Sequence, residues 1–129
     1  TVLGAEPAGA DTAYPSLRRG KIVPSVNPDT IADGLLTSLG EKAFPIIQEY
    51  VSEIRLVSDP EIVSAMWHLW ERMKVVVEPS AAVPLAALLN AENTFSGKKV
   101  GVILSGGNIA LDELQDYLKL LDDEGIHSA

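Results

Sequence analysis

The segment Ser105-Gly106-Gly107-Asn108 ends an apolar run over residues 100–104 and precedes a helix-prone stretch that opens at Leu111. A serine at that place delivers a hydroxyl to the carboxyl edge of a buried parallel strand, where open α/β sheets bind ligands. The glycines beside it allow a tight turn and a close approach of backbone to a ligand. A hydroxyl so placed can meet a heterocycle nitrogen and, being weakly polarising, leaves that nitrogen unprotonated. Taken alone, the four residues equally describe an ordinary strand-to-helix turn.

Three other places carry chemical groups in similar settings. Glu6 follows a short apolar run over residues 1–5. A carboxylate there can bind a divalent cation with help from backbone carbonyls, or cap the helix that follows, or meet an arginine. Glu78-Pro79-Ser80 stands between an extended run and a helix, so Glu78 can accept from amides at the helix start. Acids at helix starts also occur for stability alone. Thr30-Ile31-Ala32-Asp33-Gly34 closes a turn-rich loop, and loops held on a rigid scaffold often carry function. Its local chemistry is also that of an Asx turn with a glycine at positive φ. His68 reads as a structural or solvated residue beside Trp67 and Trp70, and His127 lies in the tail. The two histidines have no metal-ligand spacing.

These groups need elements to hold them. A strand over residues 1–5 leads to a helix over 11–19 that ends at Gly20, and residues 21–23 suit a short strand. Helical spacing covers 45–51, and alternation marks a strand over 53–57. Ser58-Asp59-Pro60-Glu61 is a capping box with proline in the first turn. Ile62, Met66, Leu69 and Met73 then recur at helical spacing, which predicts a helix to about residue 73. A helix of small residues spans about 81–89, residues 99–104 form a buried strand, and residues 111–121 form an amphipathic helix with Leu111, Leu114, Leu118 and Leu121 inward. The acidic run Asp122-Asp123-Glu124 reads as a solvated face. Strands alternating with helices predict an α/β fold, a three-layer αβα arrangement with a mainly parallel sheet.

Bulk properties narrow the function. The 129 residues amount to one domain or less, and 47% apolar content supports a packed core. A net charge of −8 argues against nucleic acid and anionic membranes as partners. Cysteine is absent, which fits a cytoplasmic protein and removes thiolate chemistry. The first residues read as the middle of a strand and lack a signal-peptide pattern, so the chain is expected to begin inside a domain.

In their order and spacing, Glu6-Pro7, Thr30 to Gly34, Glu78-Pro79 and Ser105 to Asn108 resemble the pyridoxal-phosphate-dependent serine/threonine dehydratase and serine racemase family, fold type II. The resemblance runs from Gly4 to about Leu114 and implies the C-terminal part of the large, cofactor-binding domain across residues 1–129. It implies that Ser105 and Gly106 meet the cofactor ring, with Gly34 and Glu78 lining the pocket. It implies Asp33 as a substrate contact or loop-ordering residue, and Lys74 and Asn108 as matches to a nucleotide-effector site of animal serine racemases. It also implies a cation, Mg2+ or another divalent ion, on Glu6, the Ala10 carbonyl and position 12, where this chain has Thr12 instead of an acid.

The family's cofactor lysine is expected in a Ser-x-Lys context near the enzyme's N-terminus. None of Lys21, Lys42, Lys74, Lys98, Lys99 or Lys119 stands there. The expected partners are therefore the N-terminal part of the same enzyme, a small hydroxy amino acid and a second subunit in a homodimer, with Trp67 or Trp70 at such a contact. The segment alone is expected to be inactive. The expected reaction is loss of the β-hydroxyl from serine, threonine or 3-hydroxyaspartate, giving a 2-oxo acid and ammonia. Serine racemisation and a non-catalytic binding module of the same ancestry are the alternatives, and a flavodoxin-like binding domain is a third.

Overall fold

The structure, a computed structural model, describes residues 1–91 and 93–123, apart from the side chains of Leu111, Asp122 and Asp123. Strand β1 (Val2–Pro7) and strand β2 (Val51–Val57) pair in parallel, with Gly4 opposite Ile54 and Pro7 opposite Val57. Their carboxyl ends therefore lie together, and Glu6 stands at that edge. Helices α1 (Ala13–Arg19) and α2 (Phe44–Tyr50) lie in the crossover between the two strands. Helix α3 (Asp59–His68) follows β2, then α4 (Pro79–Leu89) and α5 (Leu114–Asp123).

Strand alternation sends neighbouring side chains to opposite faces. Ile54 and Ser52 line a cleft with Tyr14 and Leu17 of α1, which packs beside β2, whereas Ala5 and Val57 belong to the core under α3 and α4. Helices thus cover both faces of the strand pair, which gives the expected α/β layering. Ile62, Ala65, Met66 and Leu69 of α3 and its continuation pack on Ala81, Ala82, Val83 and Ala86 of α4, all buried. The small side chains let the α4 axis come close, and close packing is what an interior requires.

The capping box forms as its spacing predicts. The Ser58 amide donates to Glu61 Oε2 at 2.6 Å, and the Ser58 side chain accepts from the amide of Glu61. The helix does not run uniformly to residue 73. Its last turn, Leu69–Met73, widens to a π-helical turn and ends at Lys74 in the left-handed region, φ 58°. Pro84 lies inside α4. Lacking an amide hydrogen, it cannot bond the carbonyl of Ser80 one turn earlier.

Two strand expectations require correction. Residues 99–104 join no sheet among the described residues, and they are not buried as a whole: Val100 is 44% exposed and Ile103 80% exposed. An apolar run becomes a buried strand only when a neighbouring strand fills its backbone bonds, and among the described residues it has none. Leu104 alone of the run packs against the α3–α4 core. Residues 21–23 are also irregular; the Val23 amide donates to the buried Ser16 hydroxyl instead of to a ladder. The expectations on Glu124 and His127, and on the side chains of Leu111, Asp122 and Asp123, lie outside what is described.

Candidate functional site

The loop 29–35, the start of α4 and the segment 104–110 converge. The Glu78 amide donates to the Gly106 carbonyl at 3.2 Å, so residues 76–78 run beside 104–108. Glu78 Oε2 accepts from the Asn108 amide at 2.8 Å. A Cβ added to Gly106 would collide with Glu78 Oε1, and one added to Gly107 would lie 2.9 Å from the Val76 carbonyl oxygen. The glycine pair is therefore required by the carboxylate and backbone that press against it. Glu78 caps nothing in α4; its carboxylate is spent on the glycine turn.

Gly34 closes the same cluster from the other side. Its amide donates to Ser80 Oγ at 3.1 Å and to Asp33 Oδ1 at 2.8 Å. The alternative reading, an Asx turn with Gly34 at positive φ, is not what forms: among the described residues the positive-φ glycines are Gly20 and Gly97. Close approach demands glycine here instead: a Cβ would stand 2.9 Å from Ser80 Oγ. Ser80 is not singled out by its sequence context, although a small polar residue two places after Glu78 is the available signal.

Ser105 is exposed beside this cluster, and among the described residues its hydroxyl has no hydrogen-bond partner. It is neither sealed in the apolar core nor inside the neighbouring cavity. That cavity, of about 280 Å³, is lined instead by Asp33, Asn108, Pro79, Ile31, Glu113 and Tyr117, among others. Asp33 and Asn108 are thus brought together as sequence-nominated residues. Glu113 and Tyr117 are additions from the structure; their i, i+4 spacing is the signal, masked by the leucine periodicity of the same stretch. The Tyr117 hydroxyl donates to Glu113 Oε2 at 2.8 Å. Burial, then the bond to Glu113, then the charges of Glu113 and Asp33 push the phenol up to about 12.

Lys74 is exposed, as is His68, whose Nδ1 lies 2.9 Å from the Ser64 carbonyl. Lys98 does stand in a literal Ser-x-Lys, Ser96-Gly97-Lys98. It lies in an exposed turn with Gly97 at φ 72°, the Lys98 amide donating to Phe95 O at 2.9 Å.

The expected cation site resolves toward its alternative. Glu6 Oε1 accepts from the Ala13 amide at 2.7 Å and Oε2 from the Tyr14 amide at 2.8 Å, so the carboxylate ties β1 to the first turn of α1. Thr12 Oγ1 lies 3.4 Å from Glu6 Oε1. Among the described residues no three acidic or histidine side chains gather as metal ligands. Glu6, Ala10 and Thr12 therefore do not fit a carboxylate-rich divalent site. No helix among the described residues is long and apolar enough to cross a membrane.

Comparison with known proteins gives these geometries a context. A family profile described as pyridoxal-phosphate dependent enzyme matches residues 1–106. The chain is 48% identical over 113 residues to a beta-hydroxyaspartate dehydratase of Paracoccus denitrificans, covering 88% of this chain and 36% of that protein. It superposes on the crystal structure of serine racemase from Dictyostelium discoideum with a TM-score of 0.80 and 49% identity, covering 86% of this chain and 36% of that one. It superposes on the crystal structure of T.th. threonine deaminase with a TM-score of 0.75 and 43% identity, covering 84% of this chain and 40% of that one. The chain thus spans little more than a third of the length of the curated relatives it matches.

Proposed function

The chain belongs to the pyridoxal-phosphate-dependent enzyme family, and we propose that it supplies one wall of the cofactor pocket in a hydroxy-amino-acid ammonia-lyase. The observation that carries the reading is the convergence of Gly34, Glu78, Gly106 and Asn108 beside the free hydroxyl of Ser105. An exposed, unpartnered hydroxyl on a glycine turn fits a group that must donate to a ring nitrogen. When bound, pyridoxal phosphate serves as an electron sink for charge developing at a substrate α-carbon.

Each residue has a definable task. Ser105 would hold the ring nitrogen by a neutral hydrogen bond, keeping it unprotonated, where a carboxylate would protonate it. Glu78 would hold the Gly106 turn in place through Asn108. The Gly34 backbone would present a flat edge to the cofactor, and Asp33 and Asn108 would face the substrate or an effector from the cavity they share. Lys74 is a candidate for the same effector, on the strength of its motif alone. No task is given to a cation, because Glu6 is committed to α1.

The lysine that holds the cofactor and removes the α-proton is proposed to lie in protein outside these residues, in the N-terminal part of the same enzyme. The chain by itself would then be inactive, and the enzyme a cytoplasmic homodimer. Likeness to both a hydroxyaspartate dehydratase and a threonine deaminase supports elimination, which needs a single base. Likeness to serine racemases supports a second reading, racemisation at the same wall with a second proton donor on the opposite face. Incubation of the full-length protein with pyridoxal phosphate and L-serine, L-threonine or 3-hydroxyaspartate separates the two. Ammonia with a 2-oxo acid is expected from at least one substrate. D-serine without ammonia would favour racemisation, and cofactor binding with neither product would reject both.

A further inference from the structure

We infer that Asp59 is a positioning residue, clamping the loop that carries Asp33 and Gly34; the inference rests on the pocket reading above. An acid at the first position of a helix ordinarily serves the helix dipole. In α3 that end is already capped reciprocally by Ser58 and Glu61. Asp59 instead turns both oxygens away from its own helix. Oδ1 accepts from Thr30 Oγ1 at 2.5 Å, and Oδ2 accepts from the Ile31 amide at 3.0 Å. Thr30 Oγ1 accepts in turn from the Ala32 amide at 3.2 Å. A hydroxyl is needed at position 30 because it must donate and accept at once.

The loop is thereby fixed at both ends. Asp59 holds residues 30–31 on the start of α3, and Ser80 holds Gly34 on the start of α4. Between them Ala32 is fully buried in the α3–α4 core. Gly34 has no room to slide, since even a Cβ would meet Ser80 Oγ at 2.9 Å. With so little clearance at Gly34, loss of the Asp59 end would loosen residues 30–33 and disturb the fit of the loop against Ser80 and the start of α4. Bonds to a carboxylate are the stronger kind, so the clamp is well placed to set that geometry.

The test compares Thr30→Val, Asp59→Asn, Thr30→Ser and Ser58→Ala in the full-length protein. Amide exchange over residues 30–34 is measured without cofactor, and pyridoxal phosphate affinity is measured by fluorescence titration. Thr30→Val leaves α3 untouched. It removes the donation to Asp59 and the acceptance from the Ala32 amide. It is expected to speed exchange over 30–34 and to weaken cofactor binding, each by at least about tenfold, the scale set by a bond to a charged acceptor. Asp59→Asn should behave similarly, and Thr30→Ser should restore both readouts. Ser58→Ala should lower the melting temperature while leaving both readouts unchanged.

Unaltered exchange over 30–34 in Thr30→Val and Asp59→Asn overturns the clamp, whether or not cofactor binds. Faster exchange with unaltered cofactor affinity overturns the positioning role. If exchange responds as expected while the unmutated protein binds no pyridoxal phosphate, the clamp on the loop stands and the pocket reading falls.

Discussion

At the level of single residues, the site is built by close approach more than by charge. Gly106 is the tightest point, and Gly106→Ala would drive Glu78 from its place beside the Asn108 amide. A loss of about 1–3 kcal/mol is expected, the usual range for overpacking, measurable by urea denaturation. Tyr117 makes a pH-dependent prediction. Its phenol is held near 12 in the folded protein against 10.0 ordinarily, so the protonated form is the one the fold favours. Its contribution is fully present below pH 10 and is lost as pH rises toward 12. Phenolate absorbance should show one tyrosine titrating late, and Glu113→Gln should bring it back toward the ordinary value.

The residue scale also shows why the site is partly legible in the chain. Ser105, Gly106, Glu78, Gly34 and Asn108 stand out because each sits in a short local pattern. Ser80 and Asp59 do not, because their bonds to Gly34 and Thr30 span 46 and 29 residues of sequence. No local pattern encodes such a pairing. Glu6 is legible in both its readings, and only the bonds to Ala13 and Tyr14 decide between them.

At the level of elements, what is strongly periodic emerges as expected. The Ser58–Glu61 box starts α3, the small residues of α4 lie against it, and β2 alternates between two helical layers. Removing the cap with Ser58→Ala should cost about 1 kcal/mol. Met66 is fully buried between α3 and α4, so Met66→Ala should cost about 2–5 kcal/mol, again read by denaturation. Residues 99–104 mark the limit of periodicity. Their composition asks for burial, but a strand's burial is a property of its neighbours, and Ile103 is 80% exposed. The π-helical turn before Lys74 is invisible for a similar reason, since a single widened turn leaves the apolar spacing almost unchanged.

At the level of the whole molecule, the exposed apolar residues and the share of the relatives' length point the same way. Val2 and Leu3 of β1 and Val100 and Ile103 of the irregular run 99–104 are all more than a third exposed, while the chain spans 36% of a related dehydratase. Such exposure marks surfaces that seek a partner. The 129-residue chain expressed by itself is expected to form species of no fixed size and to bind no pyridoxal phosphate, whereas the full-length protein is expected to sediment as a dimer with cofactor bound. Sedimentation with cofactor absorbance in the same run checks both.

The most direct measurement is the visible spectrum and ammonia release of the full-length protein, unmutated and as Ser105→Asp, each titrated with pyridoxal phosphate. If the Ser105 hydroxyl holds the ring nitrogen unprotonated, the carboxylate should shift the absorption band of the bound cofactor and lower turnover by at least about tenfold, one hydrogen-bond's worth of altered proton affinity. An unchanged band and unchanged turnover in Ser105→Asp would contradict the pocket wall described for this chain.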